Sequence, residues 1–118
     1  METVADIERQ RDAIITQIRE IRSMERGSIT EQYIKVPQKG GKPALRGPYY
    51  SILRREGKTT VGYRLTTDAD LERAKRDVEA HRRFSALCKE YERLTERLGE
   101  FERGVAEVGG KKKPPRSR

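Results

Sequence analysis

The chain has 118 residues, 33% of them hydrophobic and 39% charged, with a net charge of +8. That length accommodates one domain or one domain with appendages, and so charged a composition buries a narrow apolar seam, not a broad core. No stretch approaches the roughly 18 apolar residues of a membrane span and no apolar run marks a signal peptide. The single cysteine, Cys88, excludes an internal disulfide, so a cytoplasmic protein is expected.

In residues 1–28 the apolar side chains Val4, Ile7, Ile14, Ile18 and Ile21 recur at a three-four spacing broken only by Arg11. This heptad seam predicts a coiled-coil helix, widened by Ile15 and Met24 and ended by Gly27. Residues 29–66 read as a basic β insert. A strand from Glu31 to Val36 is expected at one edge, burying Ile34, and residues 37–47 read as a flexible basic loop. Gly47-Pro48 then opens a hairpin, Tyr49 to Arg55 and Lys58 to Leu65, joined by Glu56-Gly57. That loop sets Arg55 opposite Lys58, Ile52 opposite Val61, Tyr50 opposite Tyr63 and Tyr49 opposite Arg64. Alternation puts Tyr50, Ile52, Val61, Tyr63 and Leu65 on one face, and Tyr49, Ser51, Leu53, Arg55, Lys58, Thr60 and Arg64 on the other.

Residues 67–104 predict a long helix, capped by threonine and begun by Asp68, Asp70 and Glu72 at the positive end of its dipole. Its seam runs Leu71, Ala74, Val78, His81, Phe84, Leu87, Tyr91, Leu94, Leu98, Phe101, with one shortened step between 81 and 84 that should overwind a coiled coil. At 1.5 Å per residue the first helix would be about 35 Å long and the second about 55 Å. Part of the longer seam, at Leu94, Leu98 and Phe101, is therefore expected to need another chain, a second copy or a partner helix, or a bent-back N-terminus, and a dimer is expected. Residues 105–118 read as a disordered basic tail. The expected fold class is α+β: two long helices in an antiparallel coiled coil, with a small antiparallel β hairpin or three-stranded sheet inserted between them.

Charge is distributed unevenly over these segments. Residues 29–66 carry eight cations (Lys35, Lys39, Lys42, Arg46, Arg54, Arg55, Lys58, Arg64) against Glu31 and Glu56, a net +6, and residues 111–118 add +5. The flanking segments 1–28 and 67–110 come to −1 and −2. Localised basicity is the footprint of a surface that meets polyanion. A two-stranded ribbon fits the major groove of DNA, where Arg and Lys read guanine and hydroxyls contact base or phosphate. Arg55, Lys58, Thr60 and Arg64 are the candidates for that contact, with Tyr49 able to stack. Lys39, Lys42, Arg46, Lys111, Lys112 and Lys113 would hold phosphates without reading sequence. The opposing reading is a solvated sheet surface whose cations guard an edge.

Catalytic chemistry is not evident in the sequence. The one histidine, His81, lies on the helix seam with no motif placing a nucleophile or carboxylate beside it. One Cys and one His fall short of a zinc set, and Lys39-Gly40-Gly41-Lys42 lacks the spacing of a phosphate loop. No enzyme activity, metal, cofactor or small-molecule substrate is expected.

The run Gly47-Pro48-Tyr49-Tyr50-Ser51-Ile52-Leu53-Arg54-Arg55-Glu56-Gly57-Lys58-Thr59, followed by Tyr63-Arg64-Leu65 and an acidic helix start, resembles an uncharacterised family of small prokaryotic proteins. In that family a Gly-Pro-Tyr-Tyr hairpin sits between two charged helices, and its members are often associated with mobile elements. Many members carry cysteines just before Gly-Pro-Tyr. Residues 37–47 contain none here, so no metal site carries over. Residues 48–80 are also similar in pattern to the arm-binding amino-terminal domains of tyrosine recombinases, which lay a small sheet in the major groove. The basic hairpin and the helix seam lead to the expectation of non-enzymatic DNA binding by a dimer, which the second resemblance favours. The first supplies no activity and implies only an association with mobile elements, hence an accessory or regulatory factor of a mobile element or phage. A coiled-coil adaptor or assembly protein that binds an acidic protein partner is the alternative. RNA binding is a third, because backbone charge does not separate the two nucleic acids.

Overall fold

The computed structural model describes residues 2–104. The elements follow in the order α1 (Val4–Glu20), β1 (Ser28–Val36), β2 (Ala44–Glu56), β3 (Thr59–Leu65) and α2 (Asp68–Arg103). The architecture is α+β, with a three-stranded antiparallel sheet, order β1-β2-β3, lying between the helices in the chain. Two compact units divide the described residues: 2–22 with 83–104, and 23–82.

In the first unit, α1 starts at a reciprocal capping box. The Thr3 hydroxyl accepts from the Asp6 N–H at 3.1 Å, and the Asp6 carboxylate accepts from the Thr3 N–H at 3.2 Å. Ile7 and Ile14 are buried together with Leu94 and Leu98, and Ile18, Leu87, Tyr91 and Phe101 pack around them. Side-chain contacts match Glu2 with Arg97, Arg11 with Tyr91 and Gln17 with Arg83, so positions ascend along α1 as they descend along α2. Arg11, the break in the heptad, is accommodated by Tyr91. Its guanidinium lies 4.8 Å from the ring centroid and donates to the phenol oxygen at 2.7 Å.

This packing corrects the expectation for Leu94, Leu98 and Phe101. Leu94 is 1% exposed and Leu98 is buried, both against α1, while Phe101 is half-buried under the Arg97 guanidinium. The shorter helix covers the far half of the longer one, so this part of the seam does not call for a second chain.

In the second unit, Thr67 caps α2 by accepting from the Asp70 N–H at 3.0 Å, as its position predicts. Ile52 and Leu65 are buried against Ala74 and Val78, with Ile29, Tyr50 and Leu71 at the margin. One face of the sheet thus covers residues 71–78 of α2. The shortened step of the seam, 81 to 84, coincides with the boundary between the units.

Three boundaries differ from the sequence reading. First, α1 ends at Glu20, short of Gly27. Residues 23–25 are held by partners that a helix could not reach. The Glu25 N–H donates to the Asp77 carbonyl at 3.0 Å, the Ser23 hydroxyl donates to Asp77 at 2.9 Å, and the Glu25 carboxylate accepts from Tyr63 and Arg73. Second, β1 begins at Ser28, pairing Ile29 with Ile52, so that Ile29 is packed in the core and Ile34 stays 44% exposed. Third, the hairpin loop is Gly57-Lys58, since Glu56 pairs with Thr59. Gly57 takes φ 63°, a conformation the first residue of such a two-residue loop needs and Glu56 would adopt only under strain. Every β2–β3 pair therefore moves by two from the expected register: Ile52 faces Tyr63, Arg55 faces Thr60 and Tyr50 faces Leu65. A shift of two preserves the alternation, so the two face sets survive, except that Lys58 becomes a loop residue.

Candidate nucleic-acid interface

The face of the sheet turned away from Ala74 and Val78 carries Tyr49, Ser51, Leu53 and Arg55 on β2, with Arg64, Gly62 and Thr60 on β3. Arg55 and Thr60 sit directly opposite each other next to Lys58 in the turn. Arg64 lies four residues from Thr60, about 13 Å along the strand, and its guanidinium stacks 4.6 Å from the Tyr49 ring centroid. One face of the Tyr49 ring is therefore covered by a cation. Between the two ends Leu53 lies over Gly62, where an added Cβ would stand 2.6 Å from the leucine Cδ2 and 2.1 Å from the Ile52 carbonyl oxygen. The basic face is two cationic spots separated by a leucine.

A second basic element emerges where the sequence reading expected a loop. Residues 44–47 belong to β2, and beyond the reach of β3 they pair only with β1: Ile34 with Arg46, Lys35 with Leu45, Val36 with Ala44. The register shifts between Gln32 and Ile34, opposite Gly47 and Pro48. Gly47 has φ 136°, and a Cβ there would stand 2.9 Å from the Gln32 carbonyl oxygen, so the Gly-Pro pair marks a bulge that only glycine fits. The result is a two-stranded arm, residues 33–48, carrying Lys35, Lys39, Lys42 and Arg46 and no Asp or Glu. Tyr33, Ile34 and Leu45 are exposed on it, Leu45 at 65%. Glu31, just before the arm, accepts from the Tyr33 phenol at 3.2 Å, which raises that phenol's pKa.

Charge pairing is denser on the helices than on the sheet. On the helices, Glu72–Lys75, Glu79–Arg82, Glu90–Arg93 and Arg97–Glu100 form local pairs, and Arg73 bridges Glu25 and Asp77. On the sheet, Arg54 alone is paired with a carboxylate among the described residues. Its Nε donates to Glu56 Oε2 at 2.6 Å, and Arg26 donates to the same oxygen at 3.0 Å. These guanidiniums, Arg54 first, hold the Glu56 carboxyl below the usual carboxylate range. Among the described residues, Lys35, Lys39, Lys42, Arg46, Arg55, Lys58 and Arg64 have no carboxylate within ion-pair distance.

Of the residues singled out from sequence, the fold brings Arg55, Lys58 and Thr60 together at the turn, sets Arg64 with Tyr49 at the far end, and places Lys39, Lys42 and Arg46 on the arm. Lys111, Lys112 and Lys113 lie outside the described residues. The sequence reading did not single out Lys35, Arg26 or Arg82. Lys35 was legible in its position among the arm's other cations, whereas Arg26 and Arg82 are 56 residues apart in the chain and meet only through packing.

No family model, no curated protein and no solved structure matches the chain.

Proposed function

We propose that the protein is a non-enzymatic nucleic-acid-binding protein that docks its sheet on duplex DNA. One observation carries the reading: among the described residues, of the eight cations in residues 28–65 only Arg54 has a carboxylate partner, whereas six of the twelve on the helices do. Cations kept unpaired on one element keep their full Coulomb attraction for phosphate and release condensed counterions on binding. The arm's shape favours DNA over RNA, because a two-stranded ribbon enters the major groove of B-form DNA, about 12 Å wide, and not the deep, narrow one of an A-form helix. In this reading α1 and the later turns of α2 form an antiparallel coiled coil. The protein is an accessory or regulatory factor of a mobile element or phage acting in the cytoplasm, as the resemblance to the Gly-Pro-Tyr-Tyr hairpin proteins implies. Homodimerisation is not required, since the seam that suggested it is covered.

A second reading rests on Tyr33, Ile34 and Leu45, whose exposure among the arm's cations also suits docking on an acidic protein surface. Fluorescence anisotropy of labelled duplex DNA and duplex RNA over a salt series separates the two. Neutralising about five phosphates gives a slope of log affinity against log salt of about −4 to −5 on DNA. Replacing Arg55, Lys58 and Arg64 together with alanine should weaken that binding at least tenfold with helicity intact. Unchanged affinity in that variant refutes the contact assigned to the hairpin, and no binding by the wild type even at low salt moves the assignment to the acidic-partner adaptor.

A further inference from the structure

Beside the hairpin a groove of about 560 Å³ is lined by four arginines from three parts of the chain: Arg26 before β1, Arg54 and Arg55 on β2, and Arg82 on α2. The hydroxyl-bearing residues Ser28 and Thr60 line it as well. We propose that this groove is a seat for the phosphodiester backbone of a bound nucleic-acid strand, an inference that rests on the function proposed above and extends its contact surface beyond the sheet.

The residue types fit that ligand. All four cations are arginine, whose planar fork matches two phosphate oxygens at once, where a lysine offers a point charge. Two of them already converge on one anionic oxygen: Arg26 Nη2 and Arg54 Nε both donate to Glu56 Oε2. That carboxylate holds the two guanidiniums side by side and leaves their other N–H groups for a second acceptor. Glu56 offsets one positive charge. Glu79 offsets another through a 3.4 Å pair with Arg82 in which both side chains are largely exposed, so solvent weakens it. Arg55 has no carboxylate partner among the described residues. Net positive charge therefore remains along this open groove and attracts anions. Arg55 and Thr60 belong to both the groove and the outer face of the hairpin, so a strand lying on that face has a continuous path into the seat.

The test compares the full-length wild type with R26A/R82A, R26K/R82K and, as a control in the other unit, R93A, by anisotropy of labelled duplex DNA over a salt series. Far-UV circular dichroism is recorded on each variant. For R26A/R82A the magnitude of the salt slope should fall by about 1 to 2, with roughly tenfold weaker binding at about 0.1 M salt. R26K/R82K should keep the wild-type slope, and R93A should keep both slope and affinity. A wild-type slope and affinity in R26A/R82A, while the triple hairpin variant loses binding, overturns the seat and leaves the proposed function standing. An equal fall in salt slope in R26A/R82A and R26K/R82K also overturns it, because charge would then not be what the two residues supply. Wild-type protein without salt-dependent binding overturns the function and the seat together.

Discussion

Leu94→Ala tests the packing of the first unit and, with it, whether the chain covers its own seam. Leu94 is 1% exposed and Ile7, in the same cluster, is 0% exposed, so truncation removes buried apolar contacts. Loss of the transfer free energy and the residual cavity together give about 3 kcal/mol, within the usual 2–5 kcal/mol for a buried leucine. Against a total stability of order 5–15 kcal/mol, that loss lowers Tm by roughly 10–20 °C for a chain of this size. Thermal unfolding followed at 222 nm measures it, with Leu45→Ala on the exposed arm as a control expected to move stability by no more than about 0.5 kcal/mol. The experiment is repeated at protein concentrations a hundredfold apart. If α1 alone covers Leu94, the wild-type Tm is independent of concentration. A Tm that climbs with concentration would restore the second chain, and a Leu94→Ala effect below about 1 kcal/mol would refute the burial of Leu94.

Two further outcomes are expected. Gly62→Val should disrupt the β2–β3 pairing, because even its Cβ would stand 2.1 Å from the Ile52 carbonyl oxygen. A destabilisation of about 3 kcal/mol or more follows from such overpacking, and hydrogen exchange on β3 amides would locate it; native-like protection there would contradict the close approach. Asp6, held by hydrogen bonds from the Thr3 hydroxyl and backbone end of the capping box, has its pKa lowered. A carboxyl lowered on folding contributes stability that is present above its unfolded pKa and lost as pH falls through the folded value. NMR titration should show Asp6 protonating below ordinary aspartates and the first turn of α1 fraying in the same acidic window. Titration at or above the ordinary value would remove the capping box.

Much of the architecture was readable from the chain because it depends on local periodicity. The seam positions of α2, from Leu71 to Phe101, are buried or half-buried throughout, since a three-four spacing leaves a helix only one apolar face to hide. The two face sets of the hairpin also held despite the register error, because strand alternation has a period of two and the error was two. Other features depended on competition between distant groups. Residues 21–27 have helix-compatible chemistry, yet Glu25 is claimed by Tyr63, Arg73 and the Asp77 backbone, and α1 stops at Glu20. The arm of residues 33–48 was hidden because Pro37, Gly40, Gly41 and Pro43 read as loop, while the strand continuing through Ala44–Gly47 is specified by cross-strand pairing with β1.

What the sequence by itself determined is the set of apolar faces and the concentration of positive charge between the helices, both written in spacing and composition. What only the tertiary structure decided is which partner covers which face: the sheet on residues 71–78 of α2 and α1 on its later turns. Apolar stripes carry no address, since burial is non-directional and many pairings would satisfy them. The choice among those pairings is made by close-range constraints such as the turn at Gly57, the bulge at Gly47 and the Glu25 network, and these also draw Arg26 and Arg82 into one groove.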